Sequence, residues 1–142
     1  MELTSAGQAG VAPPVPRHGS ILIVEDRDDV RQGMAQLLEL HGFLVEDASS
    51  GEEALAQMRE DAGDLALLLL DLQLGEGVSG LELRARQLAD PKLALVPTVV
   101  ITATELRGDQ REAMRTEDWL EKPFRFEQLL AIVRRYVSPG LA

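Results

Sequence analysis

The sequence predicts an α/β fold, a parallel sheet with helices on both faces. Three observations carry this. Short apolar runs alternate with stretches of helical periodicity along the whole chain. One run, Leu65 to Leu70, is apolar without a break, as a strand covered on both faces has to be. A loop holding Gly75, Gly77 and Gly80 follows it at once, and a short run closed by such a loop favours a strand over a buried helix.

Taken in order, residues 1–19 are rich in Gly, Ala and Pro, lack any apolar period and read as a flexible leader. Ser20 to Val24 is the first buried strand, ending in Glu25 and Asp26. Asp28 is placed to cap a helix with Asp29 in its first turn, and Val30, Met34, Leu37, Leu38 and His41 follow helical spacing until Gly42. Phe43 to Val45 is a short strand. Ser50 starts the next helix, with Glu53 in capping-box position and Ala54, Leu55, Met58 and Ala62 as its buried stripe. The Leu65 strand ends in Asp71. Ser79 or Gly80 then opens a helix through Leu81, Leu83, Ala85 and Leu88, which Pro91 ends. Thr98 to Ile101 is a fourth buried strand followed by Thr102, and residues 108–115 form a short polar helix. Trp119 and Leu120 make a brief fifth strand before Lys122 and Pro123, and the last helix carries Leu129, Leu130, Val133 and Val137 on one face.

At 45% hydrophobic, the 142-residue chain can bury the core of one domain. Its net charge of −10 argues against DNA, RNA or an anionic membrane as the main partner, since each needs a basic face. With no Cys, disulfides and thiolate metal sites are excluded. No apolar run approaches the ~20 residues of a membrane span. A cytoplasmic protein is expected.

Glu25 and Asp26, Asp71, Thr102 and Lys122 all fall at or just past strand ends, so a parallel sheet brings them to one edge, where open α/β sheets bind ligands. Three acids together repel unless cations intervene, and one divalent ion plus the Lys122 ammonium would balance them. Oxygen-only ligands suit a hard cation, Mg²⁺ before Ca²⁺. Such an ion commonly partners a phosphate, so the cluster reads as a phosphoryl site with Asp71 as a candidate nucleophile.

The segments ILIVEDRDDVR, LLLLDLQLGEGVSGLEL, VPTVVITATE and DWLEKPF resemble the receiver domain of two-component response regulators. The resemblance covers about residues 20–138, leaving 1–19 as leader and 139–142 as tail. It implies a flavodoxin-like, doubly wound five-stranded parallel sheet in order 2-1-3-4-5 with five helices. It makes Asp71 the phosphoacceptor, Asp26 the principal Mg²⁺ ligand with Glu25 acting mostly through water, and the Gln73 backbone carbonyl a further ligand. By the same resemblance Lys122 and Thr102 meet the phosphoryl group and Trp119 takes the aromatic switch position. The Gln73 and Thr104 side chains tune dephosphorylation, and the Lys122–Pro123 bond is cis. The implied partners are a sensor histidine kinase or histidine phosphotransfer protein and a downstream protein target, with a phosphorylation-dependent dimer among the outputs. Activity beyond self-phosphorylation and slow autodephosphorylation is not expected. The chain is either a stand-alone regulator or part of a larger protein such as a hybrid kinase.

Two departures from the family pattern stand out. The loop after Asp71 is longer than the common form, with Gly75 replacing a frequent Pro. The segment from Thr102 to Lys122 is shorter, and Arg115-Thr116 replaces the usual Gly-Ala. The chief alternative is a pseudo-receiver, an interaction module that never takes phosphate. An Asp-nucleophile phosphohydrolase would carry a second Asp where Gln73 stands, and a flavin-binding relative would need a Ser/Thr-rich phosphate loop after the first strand.

Overall fold

A computed structural model describes residues 15–103, 106 and 108–140. Five strands form one parallel sheet: β1 (Ser20–Val24), β2 (Leu44–Ala48), β3 (Leu65–Asp71), β4 (Thr98–Thr102) and β5 (Asp118–Glu121), in order β2-β1-β3-β4-β5. The α-helices between and after them are α1 (Asp28–Leu40), α2 (Gly51–Asp61), α3 (Gly80–Ala89), α4 (Gly108–Met114) and α5 (Phe126–Tyr136). Short 3₁₀ turns at Ala62–Asp64 and Leu93–Leu95 complete the elements and were not foreseen from sequence. The fold class and strand order are those expected.

β3 is the axis, buried along its whole length. Its alternation divides the core. Leu67 and Leu69 join Ile21, Ile23, Val99 and Ile101 on the face covered by α1 and α5. Leu68 and Leu70 join Leu22 and Val24 on the face covered by α2 and α3. A continuous apolar run is therefore required here, because both faces are dry.

Local rules explain three of the helix ends. The Ser50 side chain accepts from the Glu53 N–H at 3.1 Å, and Ser79 accepts from the Glu82 N–H at the same distance. Gly42, at φ 90°, stops α1 in a conformation that favours glycine, and the His41 ring nitrogen lies 2.9 Å from the Leu37 carbonyl. Asp28 behaves otherwise than expected. It is the first helical residue, Arg27 holds the cap position without a side-chain bond, and the Asp28 carboxylate instead takes the Arg31 guanidinium at 2.6 Å. β2 runs Leu44–Ala48 rather than from Phe43, whose side chain turns into the core. In α3 the buried positions are Gly80, Leu83, Arg84 and Gln87, while Leu81 is 41% exposed.

Past the N-terminal ends of the strands, Arg17 meets the segment after α5. Arg17 bridges Val137, with Arg17 N–H donating to Tyr136 O and Ser138 N–H to Arg17 O, and Gly140 N–H donates to Gly42 O. Among the described residues no helix is long and apolar enough to cross a membrane.

Candidate functional site

The parallel sheet brings the C-terminal ends of β1, β3, β4 and β5 to one edge. Glu25 follows β1 and is buried, its N–H donating to Ala48 O of β2. Asp71 closes β3 and is 2% exposed. Thr102 closes β4 in register with Glu121, is buried, and its carbonyl accepts the Lys122 N–H at 2.9 Å. Lys122 follows β5, and its bond to Pro123 is cis.

Glu25, Asp71 and Lys122 are in direct contact. The Lys122 Nζ lies 2.6 Å from Asp71 Oδ2 and 3.4 Å from Glu25 Oε1. The other Asp71 oxygen accepts the Gln73 N–H at 2.7 Å, and Glu25 Oε2 accepts the Arg27 N–H at 3.2 Å. Burial, followed by the Asp71 carboxyl bonded to it, pushes Glu25 up to about 7, against the pull of the Arg27 N–H and Lys122. Burial opposes the charge on Lys122, but its bonds and attraction to Asp71 and Glu25 outweigh that and raise its pKa. One ammonium is too little positive charge for this edge.

Asp26 is exposed, beside Glu25 at the mouth of the site. A β-carbon on Gly75 would lie 3.2 Å from Asp26 Oδ2, so the bare glycine lets the loop after β3 approach this acid. That loop is held from α2, where Glu52 accepts the Val78 N–H at 3.3 Å. Gln73 is exposed on the same loop. Trp119 lies further back on β5, opposite Val100, half-buried, with the Arg111 guanidinium 4.3 Å over its ring. Thr104 lies outside the described residues.

Among the described residues, no three His, Cys, Asp or Glu side chains form a ready-made metal cage. The donor set nevertheless fits Mg²⁺, which usually takes one or two carboxylates and keeps several waters. The acids are oxygen donors gathered at one edge, and the bare Gly75 brings the loop after β3 close to Asp26.

Sequence reasoning missed two buried arginines that shape this region. Arg31 shares the inward stripe of α1 with Met34 and Leu38, and its NH1 donates to the Glu25 carbonyl at 2.9 Å. Arg84 of α3 donates to the carbonyls of Met114 and Arg115 at the end of α4. The available signal was a cation at a core position of an amphipathic helix. Arg115, standing where the family's Gly is usual, has φ 50°.

A 2-1-3-4-5 parallel sheet with buried acids and a lysine at its C-terminal edge is the architecture of a receiver-type signalling module, and this chain belongs to the response regulator receiver domain family, whose sequence pattern matches residues 21–134. It is 32% identical over 121 residues to the polar-differentiation response regulator DivK of Brucella ovis, covering 84% of this chain and 96% of that protein. The chemotaxis protein CheY4 of Vibrio cholerae shares the fold, with a TM-score of 0.75 at 24% identity over 85% of this chain and all (100%) of that one. The response regulator TrrA of Thermotoga maritima, solved in complex with Mg²⁺ and BeF, has a TM-score of 0.71 at 26% identity, covering 82% of this chain and 97% of its own. Receiver domains act within two-component signalling and are generally not enzymes in the ordinary sense.

Proposed function

We propose that Asp71 accepts a phosphoryl group, with Mg²⁺ assistance, from the phosphohistidine of a sensor histidine kinase or a histidine phosphotransfer protein. The phosphorylated domain then presents a changed protein-binding surface to a downstream target. This reading places it in the cytoplasm with its phosphodonor and spans residues 20–138, with 1–19 as leader and 139–142 as tail. The observation that carries it is Asp71, buried at the end of the central strand with the Lys122 ammonium 2.6 Å away and Glu25 alongside.

An Asp71 carboxylate oxygen attacks phosphorus, and the phosphorus–nitrogen bond of the donor breaks with its electron pair staying on the imidazole. Asp26, Asp71 and the Gln73 carbonyl are the groups that would hold Mg²⁺, with Glu25 reaching it through water. The ion supplies charge neutralisation for the phosphoryl oxygens. Lys122 is placed to transfer its hydrogen bond from Asp71 to a phosphoryl oxygen, stabilising the charge that arrives there. The Thr102 hydroxyl is drawn toward the phosphoryl group, and Trp119 moves into the space it leaves, repacking the β4–β5 side. The Gln73 and Thr104 side chains then govern access of water and the slow loss of phosphate.

The test is incubation of the full chain with Mg²⁺ and acetyl phosphate, followed by intact mass. One added phosphoryl group is expected, lost on Asp71→Asn substitution and on chelation of the metal. No added phosphate under any of these conditions would make the chain a phosphorylation-independent interaction module.

A further inference from the structure

Arg31 is an unusual occupant of its position. It lies on the inward stripe of α1 with Met34 and Leu38 and is 9% exposed. Each of its three guanidinium nitrogens donates one hydrogen bond. Nε donates to Asp47 Oδ2 on β2 at 3.1 Å, NH2 to Asp28 Oδ1 at 2.6 Å, and NH1 to the main-chain carbonyl of Glu25 at 2.9 Å. The first two partners are carboxylates at 46% and 76% side-chain exposure, whereas the carbonyl contact is buried. That carbonyl belongs to the peptide joining Glu25 to Asp26. On the preceding peptide the Glu25 N–H is held by Ala48, and the Glu25 side chain is held by the Arg27 N–H and Lys122. Asp26 itself is exposed and follows directly on this peptide.

We propose that Arg31 is a positioning residue for cation binding: its planar fork fixes the Glu25–Asp26 peptide and so aims the Asp26 carboxylate at the edge of the sheet. The inference rests on the reading of Asp26 as a Mg²⁺ ligand and adds the residue that orients it. Arg31 works by geometry and against its own field. Two carboxylates bond to the one guanidinium, so the trio already carries surplus negative charge with Arg31 in place. Removing the cation would make the surroundings of Asp26 more negative, and Coulomb attraction alone would then tighten Mg²⁺ binding. Removing the fork frees the peptide, and partners outside the ligand shell typically govern metal affinity by about 10–100-fold. The two effects have opposite signs. The positioning role predicts weaker binding.

The experiment is calorimetric Mg²⁺ titration of the unphosphorylated full chain, wild type against Arg31→Met, with urea unfolding of each in the absence of metal. Methionine keeps the apolar stem. The expected result is a Mg²⁺ Kd raised about tenfold. In acetyl phosphate assays the half-saturating Mg²⁺ rises in parallel while the rate at saturating Mg²⁺ is retained, the pattern of lost binding rather than lost chemistry. Loss of stability alone would not move Kd in this way. An unchanged or lower Kd in a folded Arg31→Met protein overturns the proposal. Should Arg31→Met not fold, Arg31→Lys decides: a lysine keeps charge but cannot bridge three partners, so weaker binding supports the role and wild-type affinity overturns it. Wild-type protein that binds Mg²⁺ and takes phosphate while both variants match it defeats this inference only. Wild-type protein that does neither overturns it together with the proposed function.

Discussion

Replacing Arg84 by Met tests how the short fourth helix is held. The Arg84 side chain is 2% exposed and donates four hydrogen bonds, to Met114 O at 2.7 Å, Arg115 O at 2.6 Å, Gln87 Oε1 at 2.7 Å and Thr98 Oγ1 at 2.9 Å. Methionine fills the stem but leaves the two main-chain carbonyls without a donor. The Met114 carbonyl is buried and orphaning it costs about 1–3 kcal/mol; the Arg115 contact is part-buried and adds less, since water reaches it. Gln87 and Thr98 keep each other as partners. Part of the loss is recovered because a desolvated guanidinium disappears; burial already lowers the Arg84 pKa, and Glu117 at 3.9 Å only partly compensates. A net loss of about 2 kcal/mol follows, or roughly 6 °C in Tm for a chain of this size. The assay is urea unfolding followed by far-UV circular dichroism and by the emission of Trp119, the one tryptophan in the sequence. A second arm uses Arg115, at φ 50°. Glycine adopts that conformation unaided, so Arg115→Gly should reduce the cost of Arg84→Met by about 1 kcal/mol in a double-mutant cycle. A loss below about 1 kcal/mol for Arg84→Met, or no coupling to position 115, would refute the reasoning.

Three further predictions concern other contacts. Lys122→Ala removes the ammonium that touches both Glu25 and Asp71, so the variant should fold yet fail to couple phosphate uptake to any change in Trp119 emission, which stopped-flow fluorescence with acetyl phosphate would read. Burial, then the Asp61 carboxylate, raises the Glu46 pKa, so its contribution to stability is present below the ordinary carboxylate range and is lost as pH rises through the raised value. Glu46→Gln should therefore raise Tm more at about pH 8 than at about pH 5, and an equal change at both would count against the shift. Arg111→Ala removes the cation over Trp119 and should cost only about 0.5–1 kcal/mol while changing Trp119 emission, since the pair is largely at the surface.

The sequence alone determined the strands and their order of appearance, because each buried strand must be written as an apolar run: Ser20–Val24 was placed to the residue, and the Leu65 run needed only Asp71 added. Helix starts at Ser50 and Ser79 were legible for the same kind of reason, a hydroxyl satisfying an N–H within its own turn. The meeting of Glu25, Asp71 and Lys122 followed from their places at strand ends, once the sheet was parallel. Tertiary structure decided what happens between distant groups. It separated the neighbours Glu25 and Asp26 into a buried acid touching Lys122 and an exposed one at the mouth. It turned Asp28 from a cap into a partner of Arg31, and it drew Arg31, Arg84 and Gln87 into positions a hydropathy pattern reserves for leucine. A buried polar side chain is tolerable only where the fold delivers its partners, and here those are main-chain carbonyls of Glu25, Met114, Arg115 and Val96, which carry no mark in the sequence of the bond they will accept.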